Sequence, residues 1–368
     1  MMIIEIINTE GVNLHAEPVH SAISNLFTSF KEGKHILIAS SEFLENIIND
    51  EKFGILIRNS ASSALARLRE NRSLFNKVNY HCKTDLSIPY SLPHKKNGEG
   101  FFTVGCNFFH DSLSTQCARL LCEDIRDYQL YTIIASHFKK TQNLDNMHIS
   151  LEIINGGGAN TKLNFDKITA KGLLCLCILD SDKKHPSAGY GDTSKKFAGN
   201  TPPAHSKHLI LDSHEIESLI PMNTIKIALE EKKLEEKYNK SFDSLDSIVK
   251  FNPEAKKYFD HKEGLTVNNA VILDERYQRN FWTDCIKKAP GLKRKKCLTT
   301  LECTCKKPCF AINGFGNGFL GAVLPVIEKT SFHKLDRQLT EQIKKEWTTI
   351  GVSLFSWGCS SGKKIRSS

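Results

Sequence analysis

The chain has 368 residues, of which 40% are hydrophobic and 25% charged, with a formal net charge of +9; this is the balance of an ordinary globular protein with room for two or three domains. No apolar run is long enough to span a bilayer, and the opening Met1-Met-Ile-Ile-Glu-Ile-Ile lacks the basic flank of a signal peptide, so the expectation is a cytoplasmic protein without a membrane segment. Twelve cysteines do not argue for a disulfide-stapled secreted scaffold, because eight of them are scattered singly or sit in strand-like runs.

Residues 1–110 alternate the strand-like runs His35-Ile-Leu-Ile-Ala39 and Phe53-Gly-Ile-Leu-Ile57 with helical patterns from Phe43 to Ile48 and Ser63 to Leu74. That order predicts an N-terminal α/β region. Tyr90 to Gly100, with Pro93, Gly98 and Gly100, reads as a loop.

The acids that carry chemistry lie in residues 111–222. Leu120-Leu-Cys-Glu-Asp-Ile-Arg-Asp127 ends a short apolar run in Glu123 and opens a helical pattern at Asp127, where Tyr131, Ile134, Ala135 and Phe138 recur at spacings of three and four. A second strand, His148 to Ile154, precedes Gly156-Gly-Gly-Ala-Asn160, whose bare backbone suits approach to a phosphate. Leu173 to Leu179 is wholly apolar, as in a parallel strand buried on both faces, and Cys122, Cys175 and Cys177 read as core residues.

Asp180 and Asp182 follow that strand, at the end where open α/β sheets gather their ligands. Period-two alternation would put both on one face, and two neighbouring carboxylates repel unless a cation lies between them. Singly, each acid has a plainer reading: Asp-Ser-Asp-Lys starts turns well, and Glu123 could serve a helix N-terminus. Lys183, Lys184 and Lys195 in the following loop are the cations suited to a developing phosphorane charge. In Leu211-Asp-Ser-His-Glu-Ile-Glu-Ser-Leu-Ile-Pro221, helical geometry would turn only one of Glu215 and Glu217 inward, and Glu217 is the expected one.

A strand ending in Glu, an Asp four residues on, a glycine patch, a strand ending in Asp-x-Asp and a late Glu resembles, in that order, the Toprim domain of topoisomerases, bacterial primases and OLD (overcoming lysogenization defect) nucleases. The resemblance covers residues 120–221, under a third of the chain. It implies a Rossmann-like parallel sheet and one or two Mg2+ or Mn2+ ions held by Glu123, Asp180, Asp182 and Glu217, with Asp127 as a further catalytic acid. It also implies a nucleic-acid substrate and an anti-phage role beside a separate ATPase or sensor subunit, since no P-loop sequence is present here. The departure is Asp124, where the family has Gly; it brings another negative charge beside the metal.

Residues 223–368 form the third expected region, helical and mixed. Thr224 to Val249 reads as one helix with a solvated Glu/Lys face, and His333 to Trp347 as another, with Phe355 and Trp357 packing into this region. Within the Cys-rich basic loop 293–309, Cys297, Cys303, Cys305 and Cys309 could close a four-thiolate zinc site, with His261 and Cys285 as spare ligands. Lys293 to Lys296, Lys306-Lys307 and the tail Lys363 to Arg366 would attract a phosphate backbone.

The expectation is therefore an α/β protein with a central Toprim-like sheet, acting as a metal-dependent nuclease on DNA or RNA. Two other readings compete. The Asp180-Ser-Asp182 motif alone would also suit a glycosyltransferase, and a Toprim-like unit could be a noncatalytic scaffold.

Overall fold

The computed structural model describes residues 2–96, 98–290, 292 and 296–361; the basic residues 293–295 and 363–366 lie outside them. Two compact units interleave along the chain: one comprises Met1–Ile178, Asn200–Leu209 and Thr348–Ser368, the other Leu179–Gly199 and Ile210–Trp347.

The first unit is built on two four-stranded sheets. Strands β1 (Ile3–Ile7), β2 (Ile36–Ile38), β3 (His81–Asp85) and β4 (Phe101–Gly105) pair in parallel in the order β2-β1-β3-β4. The helix Val19–Lys31 buries Ala22, Ile23, Leu26 and Phe27 at three-and-four spacing. Phe53 to Ile57 is not a strand. Gly54 is the N-cap of the helix Ile55–Ala66, in which Ile57, Ala61 and Ala64 are buried while Ile55 and Leu56 face outward. Three apolar residues in a row, Ile55 to Ile57, fit a helix start as well as a strand, and Gly54 as the N-cap accompanies the helix.

Strands β5 (Arg119–Cys122), β7 (Glu152–Asn155), β8 (Cys175–Leu179) and β9 (Ser206–Ile210) form the second sheet, in the order β7-β5-β8-β9. β5 runs parallel to both neighbours, with Arg119 opposite Glu152 and Cys175. The α/β class expected from the sequence is thus the one that forms. Cys122, Cys175 and Cys177 are fully buried, and burial pushes the Cys175 thiol up to about 12. The expected strand His148 to Ile154 divides: β6 (His148–Ile149) pairs antiparallel with Cys359–Ser360, and only β7 joins the sheet.

The glycine patch has a structural role in this unit. Gly156 donates to the Cys122 carbonyl at 2.6 Å, and a Cβ there would stand 2.7 Å from that oxygen. Gly157 and Gly158 follow with φ of +70° and +57°, leading into the helix Thr161–Ala170. Phe355 and Trp357, expected to pack among C-terminal residues, belong instead to this N-terminal unit: Trp357 stacks on Tyr80 at 5.6 Å, and Phe355 meets Phe138 at 5.9 Å. Large aromatic rings pack wherever an apolar surface is open, which chain position does not reveal.

The second unit is mostly helical. The expected helix from Thr224 to Val249 is two, Met222–Glu230 and Asn239–Phe251. Lys232 turns left-handed at φ +55°, and the Lys233 and Leu234 N–H groups close back on the Ala228 carbonyl at 2.8 and 3.0 Å, burying Leu234. His333 to Trp347 likewise spans two helices, Phe332–Gln338 and Glu341–Gly358. An antiparallel ribbon of β10 (Gly264–Thr266) and β11 (Phe310–Asn313) completes the unit. Among the described residues, no helix is long and apolar enough to cross a membrane.

The tight approach at Gly156 makes a direct prediction. Gly156→Ala should lower unfolding free energy by about 1–3 kcal/mol, the cost of overpacking, measured by urea denaturation. An unchanged midpoint would show that the loop yields without strain.

Candidate functional site

The site in the second unit begins where β8 ends. Leu211 donates to the Leu179 carbonyl at 2.8 Å, the buried Ser181 hydroxyl donates to Ser213 O at 2.7 Å, and the Asp182 N–H donates to His214 O at 2.9 Å. These bonds bind the Asp-x-Asp segment to residues 211–214. Asp182 therefore does not continue strand alternation with Asp180; its φ is +56°. A non-glycine residue adopts that conformation at a cost of roughly 1–2 kcal/mol and holds it only when its surroundings fix it. Gly191 does the fixing: it donates to Ser181 O at 3.0 Å, and a Cβ on it would lie 2.2 Å from Asp182 Oδ2.

An ion cluster surrounds this turn. Lys184 Nζ lies 2.7 Å from Asp260 Oδ2, and His214 Nε2 lies 2.9 Å from Glu215 Oε1 and 3.8 Å from Asp260. Lys262 Nζ stands 3.1 Å from both Glu215 Oε2 and Glu217 Oε1. The backbone N–H groups of Lys262 and Glu263 donate to Asp260 Oδ1 at 3.1 and 2.7 Å. Asp182, Lys184, His214, Glu215, Asp260 and Lys262 all line one open cleft of about 540 Å³. A larger crevice of about 820 Å³ lies at the carboxyl ends of β1 and β2 in the other unit, lined by Glu5, Glu10, Glu42 and Arg72 among others. The smaller cleft is the better candidate because its charged groups converge with displaced acidities.

Burial opposes every charge here, and the pairings overcome it selectively. Against its desolvation, His214 is raised to about 9 by Asp260 and Glu215. Glu215 is held down to about 2 by His214 and then Lys262, again against desolvation. Asp260 is lowered by His214 and Lys184. Burial raises Asp182, which Glu215 reinforces. Burial and the Glu215 charge push Glu217 up to about 7.

The sequence expected a helix that turned Glu217 inward and Glu215 away. Instead Glu215 is extended, and the following single turn of 3-10 helix, Ile216–Leu219, lets both carboxylates reach Lys262. Glu215 lines the cleft, while Glu217 is 2% exposed. Of the lysines considered, Lys184 faces the cleft, Lys183 sits 4.3 Å over the Tyr190 ring, and Lys195 ends the short helix Asp192–Lys195. His214, Asp260 and Lys262 were missed. The charged run Asp260-His-Lys-Glu-Gly264 was their available signal.

Glu123 and Asp127 belong to the first unit and Asp180, Asp182 and Glu217 to the second. Glu123 follows β5, and its carbonyl faces the Gly158 N–H at 3.5 Å. Asp127 opens the helix Asp127–Thr141, is buried, and accepts from the Asp124 N–H at 3.2 Å. Asp124 is paired with Arg126 at 3.0 and 2.7 Å, which offsets the charge that it adds at this position.

The resemblance implies magnesium or manganese. The donor atoms of His214, Glu215 and Asp260 lie within 4.8 Å of one another, and the buried His214 Nδ1 and Glu217 Oε2 have no hydrogen-bond partner among the described residues. Oxygen-rich donors suit a hard divalent cation, and one imidazole nitrogen inclines the set towards manganese. No family model matches the chain, and neither the curated proteins nor the solved structures compared with it give a significant match.

His214 titrates higher than an ordinary histidine, so its pairings contribute stability fully below pH 6.5 and lose it as pH rises through about 9. In chelator, the stability gap between wild type and His214→Gln should shrink by about 2–3 kcal/mol between roughly pH 6 and pH 9.5. A gap independent of pH would mean that His214 is neutral throughout.

Proposed function

We propose that the chain is a metal-dependent nuclease that hydrolyses phosphodiester bonds in DNA or RNA, with the second unit's cleft as its cation site. The observation that carries the reading is the convergence of Asp182, Glu215, Asp260 and His214 beside Lys184 and Lys262 in one open cleft. Carboxylates that can hold a cation thus adjoin ammonium groups that can meet a phosphate, the combination that phosphoryl chemistry needs.

Glu215, Asp260 and His214 would hold the ion, with Asp182 facing them across the cleft. Lys184, nearly half exposed, is free enough to exchange Asp260 for a phosphate oxygen. Lys262 keeps the paired carboxylates of Glu215 and Glu217 compensated. When bound, a divalent ion would orient a water and neutralise the scissile phosphate. Glu123, Asp127 and Asp180 enter from the Toprim resemblance. So do the anti-phage role and a separate ATPase or sensor partner.

Plasmid nicking with Mn2+ or Mg2+ tests the reading, beside a nucleotide-sugar hydrolysis assay. Asp182→Asn should cut nicking by about 100-fold or more at unchanged melting temperature, and Glu215→Gln should cut it as far while also lowering the melting temperature, because it removes a buried partner of His214 and Lys262. Lys184→Ala should chiefly raise KM. Full nicking by Asp182→Asn, or hydrolysis of the nucleotide sugar alone, would contradict the assignment.

A further inference from the structure

Residues 296–310 have almost no buried apolar surface to order them. Leu298 is the one buried side chain among them, and the rest are exposed or half-buried. Yet the four cysteines of this segment gather their sulfurs within 4.8 Å of one another. Cys305 Sγ lies 3.8 Å from Cys297 Sγ and 3.7 Å from Cys309 Sγ, and all four thiols are free. Zinc–thiolate bonds of about 2.3 Å, set tetrahedrally, place sulfurs about 3.8 Å apart. A disulfide would require about 2.0 Å. These two spacings match the edges of a zinc–thiolate tetrahedron and not a disulfide.

We infer that Cys297, Cys303, Cys305 and Cys309 form a structural zinc site that braces the β10–β11 ribbon. Each ligand has a backbone reason for its position. Cys297 lies in the short helix Lys296–Thr300, and the chain then reverses at Leu301, whose φ is +60°. Cys303 accepts from the backbone N–H groups of Cys305 and Cys309. The single residue between Cys303 and Cys305, which looked too short for chelation in the sequence, is what allows the first of these bonds.

The cage is tied into the second unit at two points. Cys309 directly precedes β11, and its carbonyl accepts from the Val267 N–H at 2.9 Å; the Cys303 carbonyl accepts from Asn268 Nδ2 at 3.3 Å. Both partners open the helix Val267–Tyr277, which continues directly from β10. The two other ligands considered do not take part. His261 is fully buried and stacks on Phe319 at 5.6 Å, while Cys285 is buried and receives Asn252 Nδ2 at 3.6 Å. Four protein ligands leave zinc no open position, so this site supports the fold and stands independently of the nuclease reading.

The test uses the full chain, purified without added zinc. Elemental analysis should find about one zinc per chain, matching four thiolates to one ion. Exchange for cobalt(II) should give the visible bands of a tetrahedral cobalt–thiolate centre. Cys305→Ser should lose both signals and speed tryptic cleavage after Lys306; should that variant not fold, the cobalt titration of wild type carries the test. Absence of zinc with four rapidly reacting thiols, an iron spectrum, or a disulfide mass within 297–309 would each overturn the assignment.

Discussion

Asp260 is the charge on which the second unit's site depends. Its carboxylate is buried, and an isolated charge there would cost several kcal/mol. Lys184, His214 and two backbone N–H groups compensate it, and those partners come from three separate stretches of chain. One carboxylate therefore sets the distance between the Asp-x-Asp turn, the 211–217 segment and the start of the ribbon. The His214 N–H donates to Lys257 O at 2.8 Å, so the backbone closes the same circuit.

This compensation gives the cleft two ways to balance its charge. With Lys184 and His214 protonated, Asp260 and Glu215 are satisfied inside the protein. A divalent cation would take the place of the His214 proton and displace Lys184, releasing that lysine towards an anionic substrate while Gly191 keeps Asp182 aimed. The strained turn at Asp182 and the gathering of Asp182, Glu215 and Glu217, in which burial and then the Glu215 charge raise the pKa of the other two, mark the cleft as more than a packing feature.

Much of this was readable before any coordinates. Leu173 to Leu179 yields β8, and the three-and-four spacing after Asp127 yields the helix Asp127–Thr141, because strong periodicity leaves one way to bury the apolar face. Asp182 was likewise legible as a strand-end acid, while Lys184 was one of three neighbouring lysines among which the sequence does not choose. The misses have specific causes. Gly54 stands as the N-cap of a helix where a strand was expected, and Lys232 broke an apparently continuous helix where Leu234 could be buried. Glu215 was discounted because a regular helix was assumed, whereas the chain is extended there. His214 and Asp260 lie 46 positions apart in the sequence, and no local pattern links them. The thiol spacing was visible, but its backbone N–H bonds were not.

Crystals soaked in manganese and measured for anomalous scattering test the central claim most directly. The account predicts a manganese peak within coordination distance of the Glu215 and Asp260 carboxylates and His214, with Lys184 Nζ moved off Asp260. A cleft without manganese, its Lys184–Asp260 pair intact at a concentration that supports nicking, would contradict it.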